Sequence, residues 1–287
     1  MANTPSRIPD LIASYWTFAG GGLPHTDKEF STFEFKARIE AVARAGFKGV
    51  GLWHADLEHV MQTRSLKEMK KILDDNGIKH VEIEFLGDWF LEGEKRRESD
   101  KRKKLLFDAA VELGGRHVKV GDFVNTKVPM PQMIDEFGKL CREAQKIGTK
   151  IGFEIMPFCE INTLEKARAL CVGAAPKNGG IIFDLWHIVK LKIPYADVWK
   201  FPKEYFLGVE INDGYLKPPT TDLAEETTQY RKLCGHGEFD VKGFTSMMAG
   251  SHYQGPVGIE VLSKDIRSWP LEKIATTAYK TTAAQFD

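Results

Sequence analysis

Hydrophobic positions along the chain switch repeatedly between two periods. Short runs that are apolar on both parities fall at 12–17 (IASYWT), 48–53 (KGVGLW), 79–85 (KHVEIEF) and 117–121 (HVKVG), and again at 151–156 (IGFEIM), 180–185 (GIIFDL), 206–211 (FLGVEI) and 257–262 (VGIEVL). Runs of that length and composition predict parallel strands covered on both faces. Between them, apolar residues recur every three to four positions, the helical period. Ser31 and Glu34 have capping-box spacing ahead of the stripe Phe35, Ile39 and Val42, which stops at Gly46. Ser65 and Glu68 repeat the box before Met69, Ile72 and Leu73, with Asn76-Gly77 as the stop. Further helices are expected at 96–113, 131–147, 163–174, 240–249 and 271–283. Eight strands alternating with helices imply a closed barrel or a large open sheet. Neither a G-x-G-x-x-G nor a G-x-x-x-x-G-K-[ST] pattern follows any strand, so the open nucleotide-binding sheet lacks its marker. No Pro-, Gly- or Ser-rich linker divides the chain. The expectation is one (β/α)₈ TIM barrel over residues 1–287.

Composition narrows the partners. The 287 residues are 43% hydrophobic and 28% charged, enough for a full-sized core. Forty Lys and Arg balance forty Asp and Glu, which removes the usual argument for a nucleic-acid partner. The four cysteines show no CxxC spacing, so a reducing compartment fits better than a disulfide framework. MANTPSRIPD carries no apolar leader, and no run approaches the ~18 apolar residues a membrane span needs. A cytoplasmic protein with no membrane partner is expected.

The chemistry concentrates in the second half. Three strands repeat one pattern: Gly152-Phe153-Glu154, Gly208-Val209-Glu210 and Gly258-Ile259-Glu260. Side chains alternate faces along a strand, so glycine and glutamate point the same way in each case. With the hydrophobic middle residue facing the helices, the carboxylate faces the barrel axis and the glycine leaves space in the layer below. Asp184 ends the strand GIIF, and His187 follows three residues later. These four acids end strands five to eight, and barrel enzymes place their chemistry at that mouth. Converging carboxylates repel one another, and burial raises their pKa values. One divalent cation relieves both problems, and hard oxygen donors without thiolate favour Mg²⁺ or Mn²⁺.

At these residues the chain resembles the xylose-isomerase-like TIM barrels of the sugar phosphate isomerase/epimerase superfamily, most specifically from about 150 to 262. The resemblance implies that Glu154, Asp184 and Glu260 bind metal and that His187 touches substrate. VEIND (209–213) looks like the family's stretch of a hydrophobic residue, His or Gln, two residues and Asp, so Glu210 stands where a neutral ligand is common. Arg231 before GHGEFD (235–240) resembles an arginine that contacts substrate oxygens. By the same resemblance Glu154 and Glu260 serve as proton donor and acceptor on opposite faces of a metal-chelated hydroxy-ketone, passing through an enediolate. The implied function is isomerase or epimerase on a small ketose or keto-polyol. The alternative is a metal-dependent lyase, a dehydratase or a C-glycoside-cleaving enzyme on a keto-sugar, because both begin with the same proton abstraction. Relatives are often dimers or tetramers, so a homo-oligomer is expected.

Other residues at predicted strand ends agree with a small carbohydrate-like substrate. Trp16, Trp53, Trp89 and Trp186 all fall there, and indole faces suit the C–H side of a sugar ring. A large aromatic leaving group would also fit them. Their plainer role is to cap the hydrophobic barrel. His54 and Lys119 lie near mouth positions as further substrate contacts, and His25, in GGGLPH, belongs to a lid. Two other readings are weaker. A metal-dependent endonuclease of the same barrel needs several more histidines and an Asp-x-His element. A non-catalytic sugar-binding barrel would bind without exchanging carbon-bound protons.

Overall fold

A parallel strand needs a crossover to return to its starting end, and here each crossover carries a helix. The computed structural model describes residues 8–123 and 127–287, so part of the stretch read for a leader lies outside the described residues. All eight expected strands form: β1 (Leu11–Ala13), β2 (Gly49–Trp53), β3 (His80–Leu86), β4 (Gly115–Val120), β5 (Ile151–Glu154), β6 (Gly179–Asp184), β7 (Phe206–Ile211) and β8 (Val257–Ile259). They pair in parallel in chain order, and β1 pairs with β8 to close the barrel, with Ile12 level with Gly258. Several strands are shorter than expected, β1, β5 and β8 most of all. Tyr15–Phe18 turns into a 3₁₀ helix, and Glu260 stands just past the end of β8.

The early crossovers carry α1 (Phe35–Ala45), α2 (His54–Val60), α3 (Leu66–Asp75), α4 (Gly93–Leu113), α5 (Met130–Lys146) and α6 (Leu164–Ala174). The later ones carry α7 (Leu185–Lys190), α8 (Tyr195–Trp199), α9 (Leu223–Gln229), α10 (Val241–Ala249) and α11 (Leu271–Ala283). The box at Ser65 and Glu68 is present in full. The one expected at Ser31 is not. Glu34 itself caps α1 by accepting from the Ala37 N–H at 2.9 Å, while the Ser31 hydroxyl is used inside the preceding loop, on the Phe18 carbonyl and the Phe33 N–H. No helix among the described residues is long and apolar enough to cross a membrane. All four cysteines are free and buried.

The outward faces of the strands build the main core. Val81, Ile83, Val118, Phe153, Phe183 and Ile259 pack there against helix residues such as Leu106, Phe137 and Ile274. Barrels of this kind are ordinarily filled inside by layers of branched apolar side chains. Here the inside carries Glu82, Glu84, His117, Lys119, Glu154, Asp184 and Glu210, all buried. Glycines make that crowding feasible. A Cβ on Gly51 would fall 2.2 Å from Glu84 Oε1, and one on Gly258 would fall 2.8 Å from Glu210 Cγ. The space left by Gly152 and Gly208 is taken by a single inward isoleucine, Ile182.

Candidate active site

Strand register brings the acids together. Asp184 lies level with Glu210 across β6 and β7, and Glu210 lies level with Gly258 across β7 and β8, with Glu260 two residues higher. One carboxylate oxygen from each of Glu154, Asp184, Glu210 and Glu260 lies within 4.8 Å of the others. Two fixed cations enter this floor. Lys119 Nζ stands 2.7 Å from Glu210 Oε2, 3.1 Å from Glu84, 3.3 Å from Glu260 and 3.9 Å from Glu154. Arg231 Nη1 donates to Asp184 Oδ2 at 3.0 Å and to Glu260 Oε2 at 3.2 Å. Neutral donors complete the shell. Asn212 Nδ2 reaches Asp184 Oδ2 at 2.7 Å, and Ser14 Oγ reaches Glu210 Oε1 at 3.0 Å. Asp184 also caps α7 by accepting from the His187 N–H at 3.2 Å, which brings the His187 ring to 3.3 Å from Glu154 Oε1.

These environments push the carboxyls in different directions. Burial raises Glu154, but Lys119 and the His187 ring outweigh it and hold the group at about 2. Burial and the neighbouring Glu260 charge push Glu210 well above the usual carboxylate range. Glu260 is also raised, by burial and by Glu154, against the opposing pull of Lys119. Glu84 is pushed up to about 8, chiefly by burial. Burial alone would lower Lys119, yet the surrounding carboxylates keep it firmly protonated.

A divalent cation fits this donor set. Five carboxyl groups, those of Glu84, Glu154, Asp184, Glu210 and Glu260, crowd around two permanent cations, which are too few to serve them all, and burial and mutual repulsion still raise Glu84, Glu210 and Glu260. Every carboxylate donor is a hard oxygen, and buried Glu154 Oε1 has only the His187 ring, at 3.3 Å, beside it.

Above the floor opens a cavity of about 270 Å³. Glu84, Glu154, Glu260, His187 and Arg231 form its polar end. Its wall is an arc of rings around the mouth. Trp16 lies 5.0 Å from Trp53, Trp53 6.1 Å from Phe85, and Phe85 4.6 Å from Phe123. The arc continues through Phe158 to His187, with ring centroids 6.3 and 5.9 Å apart. Glu29, from the β1–α1 loop, accepts from the Trp53 indole N–H at 3.2 Å and from the His25 backbone N–H at 2.7 Å. Thr227 on α9 fixes Arg231 from the other side, accepting from its Nε at 3.1 Å and its Nη2 at 2.8 Å.

Of the residues expected at the site, Trp16, Trp53, His25, Glu154, Glu260, His187 and Arg231 line this cavity. Asp184 and Glu210 stand in the floor beneath it. Lys119, Trp186, Trp89 and His54 are not brought to its wall. Lys119 is 1% exposed and lies among the acids. Trp186 is buried beneath the Arg231 guanidinium, 5.3 Å from ring centroid to Cζ. Trp89 donates to the Gly121 carbonyl and packs on Phe137 and Phe153. His54 is tucked behind Trp53. Sequence reasoning missed Glu84, Ser14, Asn212, Glu29 and the phenylalanines of the arc. Glu82 and Glu84 alternate with Val81, Ile83 and Phe85 on a doubly covered strand, and Asn212 shares the parity of Glu210. Both patterns were readable as inward-facing polar positions.

The architecture is a closed parallel barrel with a buried carboxylate cluster at the C-terminal ends of its strands, close enough together to hold a metal ion. The chain belongs to the xylose isomerase-like TIM barrel family, whose model matches residues 39–283. It is 28% identical over 239 residues to a 3-dehydroshikimate dehydratase of Pseudomonas aeruginosa, covering 81% of this chain and 37% of that protein. It is 22% identical to an inosose isomerase of Halalkalibacterium halodurans, covering 79% of this chain and 78% of the relative. The chain thus spans under two fifths of the length of the dehydratase. Among solved structures, an IolI protein with a bound zinc atom superposes with a TM-score of 0.82 at 19% identity, over 96% of this chain and 98% of the other.

Proposed function

We propose that this chain is a divalent-metal-dependent isomerase or epimerase that moves a proton next to the carbonyl of a small ketose or keto-polyol. The observation that supports it most is the placement of Glu154 and Glu260. Both line one cavity, both belong to the four-acid floor, and His187 and Arg231 line the same cavity beside them. Glu154, Asp184, Glu210 and Glu260 would hold the ion. Their oxygen-only chemistry favours Mg²⁺ or Mn²⁺. When bound, the metal supplies positive charge beside the substrate oxygens, where negative charge develops as carbon loses its proton. Glu154 and Glu260 act as the acceptor and donor of that proton. Arg231 and His187 orient the oxygens, and the ring arc keeps bulk water from the reacting carbon.

Elimination is the second reading. The dehydratase relative and the aromatic wall, which suits a flat leaving group, favour it. Both reactions begin at the same carbon. The test is incubation of the metal-loaded protein with ketoses, inososes and 3-keto sugars in deuterium oxide. Deuterium at carbon with the skeleton intact supports isomerisation or epimerisation. Appearance of an unsaturated product supports elimination. Absence of both across the panel, with metal bound, would count against either.

A further inference from the structure

We infer that Lys119 is a built-in counter-charge for Glu210, and that this pair sets how tightly the acidic floor holds a divalent cation; the inference rests on the metal reading above. Both Glu210 oxygens are already engaged, Oε2 by Lys119 at 2.7 Å and Oε1 by Ser14 at 3.0 Å. Glu210 therefore differs from Glu154, whose Oε1 faces only the His187 ring at 3.3 Å and whose Oε2 lies 3.9 Å from Lys119. The labour is divided between the two fixed cations. Arg231 serves Asp184 and Glu260 from the α9 side, and among the described residues Lys119 is the cation paired with Glu210.

Lys119 comes from β4, across the barrel from β7, and is 1% exposed. It cannot swing into solvent as a surface lysine would. Within 4 Å its single charge faces Glu84, Glu154, Glu210 and Glu260. A monovalent ammonium cannot offset all of these, so it leaves room for a cation of higher charge. It does match, one for one, the charge that an ionised Glu210 adds. A floor with Glu210 and Lys119 then carries the same charge as one with a neutral side chain at each position. That accounts for an acid at the seventh strand without a floor too negative to fold.

The test is calorimetric titration of Mn²⁺ into chelator-stripped protein, comparing wild type with Lys119→Met, Glu210→Gln and the double variant. Lys119→Met leaves Glu210 uncompensated, and Mn²⁺ should bind roughly tenfold to a hundredfold more tightly, the usual reach of residues supporting metal ligands. Glu210→Gln leaves the ammonium facing the remaining ligands, and binding should weaken by a similar factor. The double variant restores the charge and should return to within about threefold of wild type. Lys119→Met binding that is no tighter than wild type, or a double variant as weak as Glu210→Gln, overturns the inference. Thermal melts of the stripped proteins establish folding. If Lys119→Met does not fold, restoration by the double variant over Glu210→Gln decides. If wild type takes up no Mn²⁺, the metal reading fails separately: binding gained in Lys119→Met then supports the counter-charge role, and none gained overturns it.

Discussion

The mouth of this barrel has two unlike halves, an acidic one and an aromatic one. Strands β5 to β8 each place a carboxylate at or beside their C-terminal end: Glu154, Asp184, Glu210 and Glu260. The segments that end β1 to β4 each present a ring: Trp16, Trp53, Phe85 and Phe123. The two halves face different physical demands. Rings pack by area and tolerate small displacements, with preferred centroid separations of roughly 4.5–7 Å. Buried like charges tolerate nothing of the kind, and each needs a donor or a cation at hydrogen-bond distance. The aromatic half accordingly holds together chiefly by ring-to-ring contact, with one hydrogen bond from the Trp53 indole N–H to Glu29. The acidic half recruits Lys119, Arg231, Asn212 and Ser14 from four separate parts of the chain. The wall is held by ring packing and the floor by hydrogen bonds and ion pairs, so the two halves differ in what holds them in place.

Removing a reacting carboxylate should give the largest effect. Glu154→Gln and Glu260→Gln are each expected to slow solvent deuterium exchange into substrate by roughly 10²–10⁴-fold, the usual range for a lost acid or base. Phe85→Leu, on the opposite wall, should leave exchange at saturating substrate within about threefold and act on KM instead. Equal losses of kcat from both halves would erase the distinction between them. Next in size is Arg231→Met. It strands fully buried Asp184 without its cation and leaves Glu260 with Lys119 alone, which should cost about 3–5 kcal/mol of stability by urea unfolding. A loss under about 1 kcal/mol would mean that the floor is braced by Lys119 and Asn212 alone.

Legibility in the sequence differed between the halves for the same physical reason. The acids announced themselves because a strand end repeats one local pattern, glycine, hydrophobic residue, glutamate, on three strands. The barrel was legible because eight doubly apolar runs alternate with capped helical stripes, and Ser65 with Glu68 behaved as spaced. Counter-ions carry no such signature. Lys119 looked like a lone mouth lysine, since its partners on β3, β5, β7 and β8 are fixed only by barrel closure. Ser31 misled because its hydroxyl satisfies loop groups that are invisible before the loop folds. Trp186 and Trp89 misled because a tryptophan at a strand end can turn inward or outward, and both turned toward packing.

His54 sharpens the comparison through pH. Loss of water on burial, then the charge of Arg102, lowers it from an ordinary 6.5 to about 3. Glu29 Oε2, at 4.0 Å, is too distant to offset that. Between those values the unfolded chain binds a proton that the folded chain refuses, so stability falls as pH falls through this window. Denaturant unfolding of wild type and His54→Gln at pH 7 and pH 5 isolates the contribution from the raised carboxyls of the floor, whose slope runs the other way. Wild type should lose about 2 kcal/mol relative to the variant over that interval. An unchanged difference would mean that His54 gains a proton in the folded state and that the wall is better hydrated than its packing implies.

Trp53→Phe should have the smallest effect and tests the wall most directly. The substitution keeps a ring against Trp16 and Phe85 but removes the indole N–H that holds Glu29 at 3.2 Å. The β1–α1 loop then depends on the Tyr15 hydroxyl, which donates to the Glu29 carbonyl at 2.9 Å, and on the His25 N–H. One charged hydrogen bond lost at a partly exposed position costs about 1 kcal/mol. That predicts a KM raised about fivefold with kcat unchanged, because the loop lines the cavity through Pro24, His25 and Glu29 and supplies none of the four acids of the floor. A fall in kcat of the same size would place Trp53 and Glu29 with the reacting half of the mouth, and the division between wall and floor would have to be redrawn along the β1–α1 loop.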